Sequence, residues 1–563
     1  MELSPLDWTI IGATLATTLV LGFWVSRRAG QSSSAFFLAN RNMPWWILGL
    51  SMVATTFSAD TPNLVTHIVR TQGVAGNWIW WSFLITGMLT TFVYAKLWRR
   101  LGVSTDIEFY AVRYSGKSAR LLRIFRALYL GLFFNIIVMA SVTLAAVKIS
   151  TVMFSVEPAT VIIIAGFVTV IFSAAGGFIG VLITDLLLFF LAMAGSVLAA
   201  WYVLDHPMIG GLDALLNHVN VVNKTSFLPD LHDPDQYIPL LLVPLVVQWW
   251  SVWYPGSEPG GGGYVAQRLL AAKNEKHAVA ASAFFQVCHY ALRPWPWIIV
   301  ALASLVIYPD IESLRQALPQ VPEHLLQHDM AYSAMLMYLP SGVLGLVIAS
   351  LAAAYISTIS TSLNWGSSYV VNDFYRVINP DVSEKNSVLV GRIVTALLML
   401  VAGTLALYLE SALQAFRLLL SIGAGTGLLF LLRWFWQRIN VWSEISAMAI
   451  SFVVSMYFEF GPFEYLLAWQ KMVLSVGVTT VGWISVTLLT PPVDIETLGK
   501  FNRLVNADEG KISQGIYATL WGTAAIYATL FCIGSVLYSN YITAFTLGLF
   551  ALVFTWITRS RAA

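Results

Sequence analysis

Cysteine is nearly absent from this chain. Only Cys288 and Cys532 occur in 563 residues, and both sit in apolar runs, so no disulfide framework is implied. Charge is scarce as well: Asp, Glu, Lys and Arg make up 11% of the residues, against about a quarter in ordinary soluble domains. The net charge is only +2 and neither end carries a basic or acidic tail, which argues against a nucleic-acid partner. No His, Cys, Asp and Glu cluster has metal-ligand spacing, and no nucleophile, base and orienting group form a set. A membrane enzyme would have no machinery to work with. Extended polar sequence is missing too; the largest interruptions, 205–236 and 309–331, are short and acidic.

Apolar sequence is what the chain has in excess, at 58% of residues. Runs of about 20 apolar residues recur along its whole length, each enough to cross a hydrocarbon core of about 30 Å. Expected spans lie at 6–26, 44–70, 76–98, 121–152, 157–176, 178–204, 237–272, 278–308, 333–372, 388–408, 411–432, 441–459, 471–490, 514–537 and 540–558. The fold class is therefore an all-α integral membrane protein of about fifteen helices. The first run lacks a basic leader and is followed by Arg27 and Arg28, so it reads as a retained span and not as a cleaved signal peptide. Alternate loops then collect Arg27, Arg28, Arg99, Arg100, Lys273, Lys276, Arg433 and Arg438, while the opposite loops hold only Arg70, Lys224, Arg315 and Lys471. Cationic loops stay cytoplasmic. This places the N-terminus outside and the C-terminus inside a plasma (inner) membrane. Trp45, Trp46, Trp78, Trp80 and Trp81 near span ends read as interfacial anchors.

Two spans are interrupted. The second contains Ser-Ala-Asp-Thr-Pro at Ser58–Pro62, and the seventh contains Tyr-Pro-Gly-Ser-Glu-Pro-Gly-Gly-Gly-Gly-Tyr at Tyr254–Tyr264. Proline removes a backbone donor and glycine tolerates unwound geometry. Unwound backbone at membrane depth survives only where protein or a wet cavity satisfies it. The breaks lie five spans apart, the offset expected of two repeats of inverted topology with a binding site between them. A simple kink or a re-entrant turn is the plainer alternative at each.

Four stretches resemble the sodium:solute symporter family, whose members include sodium/galactose, sodium/proline and sodium/sialic acid transporters. They are Met52–Asp60 (Met-Val-Ala-Thr-Thr-Phe-Ser-Ala-Asp), Ala174–Asp185 with its double glycine, Gln267–Lys273, and Ala352–Asn364 (Ala-Ala-Ala-Tyr-Ile-Ser-Thr-Ile-Ser-Thr-Ser-Leu-Asn). The resemblance covers roughly residues 6–490. It implies a LeuT-like core of two inverted five-helix repeats whose first and sixth core helices are discontinuous. The implied organisation is an extra helix and loop at 1–43, a first repeat at 44–204, an outer loop at 205–236, a second repeat at 237–440 and extra helices at 441–563.

Sodium is a hard cation and takes oxygen ligands. Ala354, Ser357 and Thr358 stand at i, i+3 and i+4 and share one helical face. The resemblance implies that the Ser357 and Thr358 hydroxyls, with the Ala354, Ala54 and Phe57 carbonyls, bind one sodium. On the residues alone, the same hydroxyls could simply bond back to their own helix or pack as small groups. Asp185 is a carboxylate inside a span, and such residues are costly and usually functional. In some family members an aspartate here binds a second sodium with hydroxyls that correspond to Ser357, Ser360 and Thr361; a structural or gating bond is the alternative.

The resemblance places substrate beside the first break, with Thr56, Ser58, Asp60 and Thr61 as candidate contacts. Ser82 matches a sugar-contacting position, and Asp60-Thr61 stands where the galactose transporter has Glu-Gln. The chain departs from sugar transporters at Ile79, at Gln286 and across Pro255–Gly263. Glu258, Tyr264, Gln286 and Arg417 complete the candidate set, and His289 and Arg293 add polarity to the eighth span. Arg417 would either hold an acidic solute or neutralise Asp60 or Glu258. His67 and Lys148 read as snorkelling or structural groups. The expected function is sodium-coupled import of a sugar or sugar derivative, with sodium as the coupling ion, no cofactor and no chemistry on the solute. An amino acid or other carboxylate, or proton coupling through Asp185 or Asp60, is the alternative. A transporter-like sensor would need a signalling domain, and the last expected span ends close to the C-terminus.

Overall fold

The computed structural model describes residues 3–29, 39–103, 105–176, 178–251, 258–505 and 509–562. Among these the architecture is helical, with no strand and one isolated parallel bridge between Met43 and Ala272. Eleven helices among the described residues are long and apolar enough to cross a membrane, and two apolar ones, Trp45–Thr56 and Pro158–Ile171, are shorter. The all-α, multi-pass class stands, whereas helix length and apolarity do not establish a count of fifteen. Part of the difference has a physical cause: a broken span is two helices, each too short to qualify.

Helix α1 is Pro5–Ala29. The second expected span consists of α2, Trp45–Thr56 (12 residues), and α3, Asp60–Gln72 (13 residues). At about 1.5 Å per residue each reaches about 18–20 Å, so only the pair together crosses. Helices α4 (Gly116–Leu128) and α5 (Asn135–Phe154) are joined by a π-helical turn at Tyr129–Phe134. Helix α6 is Phe178–Leu204 and α7, after the second break, is Gly263–Ala271. Helices α8 (Glu275–Gln286) and α9 (Pro294–Ile307) are likewise joined by a π-helical turn at Val287–Leu292. There follow α10 (Val343–Tyr369), α11 (Ala412–Leu432), α12 (Val441–Phe460), α13 (Ala468–Leu489), α14 (Ile495–Val505), α15 (Glu509–Leu537) and α16 (Tyr541–Ala562). The apolar windows of Glu275–Ile307 and Val343–Ile378 are 83% buried, while that of Tyr541–Arg561 is 11% buried. The former are therefore core helices, and the last presents most of its surface to lipid. Helix α2 packs against α6, α8 and α10, and α10 also packs against α1 and α6.

Both breaks are built from local chemistry. Helix α2 ends at Phe57, whose N–H donates to the Val53 and Ala54 carbonyls at 2.9 and 3.1 Å and whose φ/ψ of −87/81 leaves the helical region. The chain restarts at Asp60. Its carboxylate suits the positive end of a helix, and Pro62 in the first turn gives up an N–H that had no partner in any case. At the second break Gly260 and Gly261 both adopt φ +81, a region side chains resist. The Trp98 indole donates to the Gly260 carbonyl at 2.6 Å, and an Asp106 carboxylate oxygen accepts the first N–H of α7, from Gly263, at 2.7 Å. Each bond spares a buried backbone group a desolvation cost of about 1–3 kcal/mol. The stretch from Val252 to Ser257, including Pro255, lies outside the described residues.

Candidate functional site

The first break opens on a small cavity of about 60 Å³. Thr56, Ser58, Asp60 and Thr61 line it, as expected from the sequence, together with Trp80, Ser141, His289, Arg293 and Phe416. Asp60 is held from two sides: Ser58 donates to one carboxylate oxygen, and Ser141 on α5 donates to the other at 2.9 Å. Arg293 reaches in from the start of α9 and donates to the Thr56 hydroxyl at 3.1 Å. The same hydroxyl meets His289 Nδ1 at 3.0 Å, while His289 Nε2 faces the Arg293 guanidinium at 3.4 Å. A guanidinium only donates, so Nε2 is the acceptor and Nδ1 carries the proton toward Thr56. Thr56 in turn can donate to the Val53 carbonyl at 2.9 Å. The ring of Phe57 and that of Trp297 lie 5.7 and 5.2 Å from the guanidinium carbon.

Other expected substrate residues lie elsewhere. Ser82 and Gln286 are buried, yet neither lines this cavity. Tyr264 is buried on α7, 5.4 Å beneath the Arg268 guanidinium. Glu258 is spent on an internal ion pair with Arg126, and Arg433 stands 3.8 Å from its second oxygen. Arg417 is exposed, lines no part of the cavity and has no ion pair among the described residues. It therefore neutralises neither Asp60 nor Glu258. Lys148 makes a buried ion pair with Asp329 at 2.7 Å, a structural bond and not a snorkelling group.

The hydroxyl face of α10 meets the end of α2. Ser357 and Thr358 are 3% and 0% exposed, so neither is a surface group, and Thr358 Oγ1 donates to the Thr55 carbonyl at 3.3 Å. Ala54 and Phe57 occupy the last turn and cap of α2; the Ala54 carbonyl accepts the Phe57 N–H at 3.1 Å and keeps a second lone pair for a further ligand. Ala354 is buried one turn before Ser357 and Thr358. Asp185 accepts from Ser357 and from Ser51, each at 2.6 Å, and lies 3.9 Å from Arg268. Ser360 donates back to the Ser357 carbonyl at 3.1 Å, whereas the buried Thr361 hydroxyl has no hydrogen-bond partner among the described residues. The donor set on offer is neutral oxygen with one carboxylate nearby, which fits a hard monovalent cation.

Ser141 and Phe416 in the cavity, and Ser51 and Arg268 around Asp185, were not singled out from the sequence, and Trp80, expected with Trp78 and Trp81 as an interfacial anchor, is instead buried with them and lines the cavity. Serines and aromatics are too common in apolar spans to stand out. Arg268 lies inside the Gln267–Lys273 stretch, which the resemblance reads as the cytoplasmic end of a core helix, and nothing in that reading gives the arginine a role.

Comparison with known proteins finds relatives over most of the chain. A sodium/glucose cotransporter of Vibrio parahaemolyticus is 25% identical over 483 residues, covering 82% of this chain and 86% of the relative. A sodium/mannose cotransporter of Bos taurus is 24% identical over 491 residues, covering 80% and 78%. The solved substrate-bound outward-open state of a Na+-coupled sialic acid symporter aligns with a TM-score of 0.69 at 20% identity, over 88% of this chain and 99% of that one, so the two share a fold. The profile of the sodium:solute symporter family matches residues 36–450. With a helix broken beside a polar cavity and a buried hydroxyl face packed on its end, this multi-pass chain belongs to the sodium:solute symporter family.

Proposed function

We propose that the chain imports a small polar solute, a sugar or sugar derivative, by symport with sodium across the plasma membrane. The observation that carries this reading is the contact between the end of α2 and the Ser357–Thr358 face of α10, next to the cavity at the first break. Sodium held by the Ala54, Phe57 and Ala354 carbonyls and the Ser357 and Thr358 hydroxyls would tie α2 to α10. Such a tie stabilises one arrangement of the cavity over another, which is what coupling requires. The relatives named for glucose and mannose support a sugar, as does a cavity rich in hydroxyls with an indole wall. The fold reading follows: residues 44–204 and 237–440 form two inverted five-helix repeats, 1–43 and 441–563 are additions, and the N-terminus lies outside with the C-terminus in the cytoplasm. Alternating access then arises from rocking of the repeats around the breaks.

The test is uptake by the purified protein in liposomes. An inward sodium gradient is expected to drive accumulation of a labelled sugar, and replacing sodium with choline is expected to abolish it. Equal accumulation on a proton gradient without sodium would transfer the coupling to protons. The enclosed Asp185 carboxylate, with Ser51, Ser357 and Arg268 around it, is the specific feature that would serve that second reading.

A further inference from the structure

Arg293 and Asp60 line the same cavity and carry opposite charges, yet they do not pair. Among the described residues no carboxylate oxygen lies within 4.0 Å of the Arg293 guanidinium. Arg293 is 2% exposed, so water does not compensate for the missing counter-ion. Its two hydrogen bonds among the described residues, to Thr56 and His289, are to neutral groups, and its Nε has no partner among them. A guanidinium has five donors in a flat fork, so the side chain retains unspent donors beside the cavity. Asp60 is the reverse case. Each of its oxygens accepts one serine hydroxyl, and a carboxylate has room for about four such bonds. Burying one unpaired charge is costly, and pairing it with an anion by a forked contact recovers that cost.

We infer that the solute carries an anionic group bound by Arg293 and hydroxyl or amine donors bound by Asp60: it is an acidic sugar derivative, not a neutral hexose. This deepens the proposed function and rests on the cavity being the solute site. It also moves the selection of an acid from Arg417, which lies outside the cavity, to Arg293. Trp80, 6.0 Å from His289 by ring centroids, supplies an apolar wall for the sugar ring.

The experiment uses the full-length purified protein and matched probes that differ by a carboxylate: D-glucuronate against D-glucose, and D-galacturonate against D-galactose. Each is tested for thermal stabilisation and for competition with transport, with and without sodium. The acid of a pair is expected to bind at least about tenfold more tightly than its neutral partner. Arg293→Gln is expected to weaken the acid by roughly 10- to 100-fold and the neutral sugar by less than about threefold, the loss of a hydrogen-bonded charge. Arg293→Lys, which keeps the charge without the fork, is expected to fall between. Equal binding of acid and neutral partner, or an acid preference that survives Arg293→Gln, would overturn the inference. A solute-free measurement guards against misfolding. Arg293→Gln alone is expected to fold as well as the wild type, because it removes an uncompensated charge. If it fails to fold, and Asp60→Asn in the same chain restores folding, the two residues are an internal pair and the inference is wrong. The sodium arm separates the two proposals: acid preference without any sodium effect leaves this inference standing and removes sodium coupling.

Discussion

Ser357 and Thr358 are neighbours with different partners. The Ser357 hydroxyl donates to Asp185, and the Thr358 hydroxyl donates to the Thr55 carbonyl on the end of α2. Thr358→Ala is therefore expected to raise the sodium concentration for half-maximal uptake about five- to tenfold, the cost of about one oxygen ligand, with expression near normal. Ser357→Ala is expected to do the same and in addition to loosen Asp185. Unchanged sodium activation in both variants would remove this face from the ion site. For Asp185 the surroundings favour a coupling bond over a second sodium, since Arg268 stands 3.9 Å away and would repel a second cation. Asp185→Asn is then expected to lose most sodium-driven accumulation while the ion-to-solute ratio stays at one. A ratio of two in the wild type and one in the variant would instead place a second ion there, with the unpartnered Thr361 hydroxyl as a ligand. The hydroxyl face was legible because helical spacing alone puts positions i, i+3 and i+4 together. The choice between Arg293 and Arg417 was not. Phe416 lines the cavity, and the next residue of a helix points about 100° away, so rotation of α11 carries Arg417 out. Rotation is set by packing partners, which a single sequence does not display.

The breaks were legible at the level of elements because proline, glycine and a helix-starting aspartate mark them. Their supports were not, because the residues that satisfy them come from far along the chain. Ser251 donates to the Leu420 carbonyl at 3.0 Å, and the Trp250 indole donates to the Ala424 carbonyl at 3.1 Å, both on α11. A Cβ on Gly427 would come 1.6 Å from the Trp250 carbonyl oxygen, where backbone meets backbone and no side chain can yield. Gly427→Ala is expected to cost at least about 1–3 kcal/mol, as overpacking does. Thermal unfolding of the detergent-purified variant checks this; a midpoint equal to the wild type would mean that the seventh span does not press on α11. A second long-range support joins α14 to the start of α4. The Asp494 carboxylate accepts from the Ser115 hydroxyl and from the Thr497 N–H at 2.8 Å. These bonds pull its pKa from 3.8 down to about 2. A folded value below the unfolded one means that the link contributes fully above about pH 4 and is lost as pH falls toward 2. Limited proteolysis near α14 is expected to be flat from pH 8 to pH 5 in the wild type and faster throughout that range in Asp494→Asn. A rise in wild-type cleavage between pH 8 and pH 5 would show that another group controls the link.

Across the described residues, two buried ion-pair networks stand toward opposite ends of the bundle, with the charges of the cavity and of Asp185 and Arg268 between them. At the end with the lysine- and arginine-rich loops, Arg126 and Arg433 flank Glu258, and Arg433 also meets Glu444 at 3.3 Å and the Tyr110 hydroxyl at 2.6 Å. This network joins α4, the second break, the end of α11 and α12. At the opposite end Lys148 on α5 pairs with Asp329 at 2.7 Å and donates to the Glu410 carbonyl at 2.6 Å. The cavity at Thr56 and Asp60 lies between them along the chain's crossings: α2 leads to it from the basic end and α3 leaves it toward the other. A transporter that rocks must break contacts at one end while keeping them at the other, and buried ion pairs are suited to that because losing one partner leaves a costly unpaired charge. Glu258→Gln is thus expected to open the basic end. The chain's two cysteines make this measurable: after Cys288→Ser and Cys532→Ser, a single Thr55→Cys at the basic-end side of the break reports access. Its labelling by a membrane-impermeant maleimide added from that side is expected to rise at least about fivefold in Glu258→Gln, the effect of about 1 kcal/mol on a two-state population. Removing the pair at the other end, with Lys148→Met and Asp329→Leu together, is expected to lower the same labelling. If both variants fold yet label like the parent, these networks only brace the bundle, and the rocking depends on other contacts.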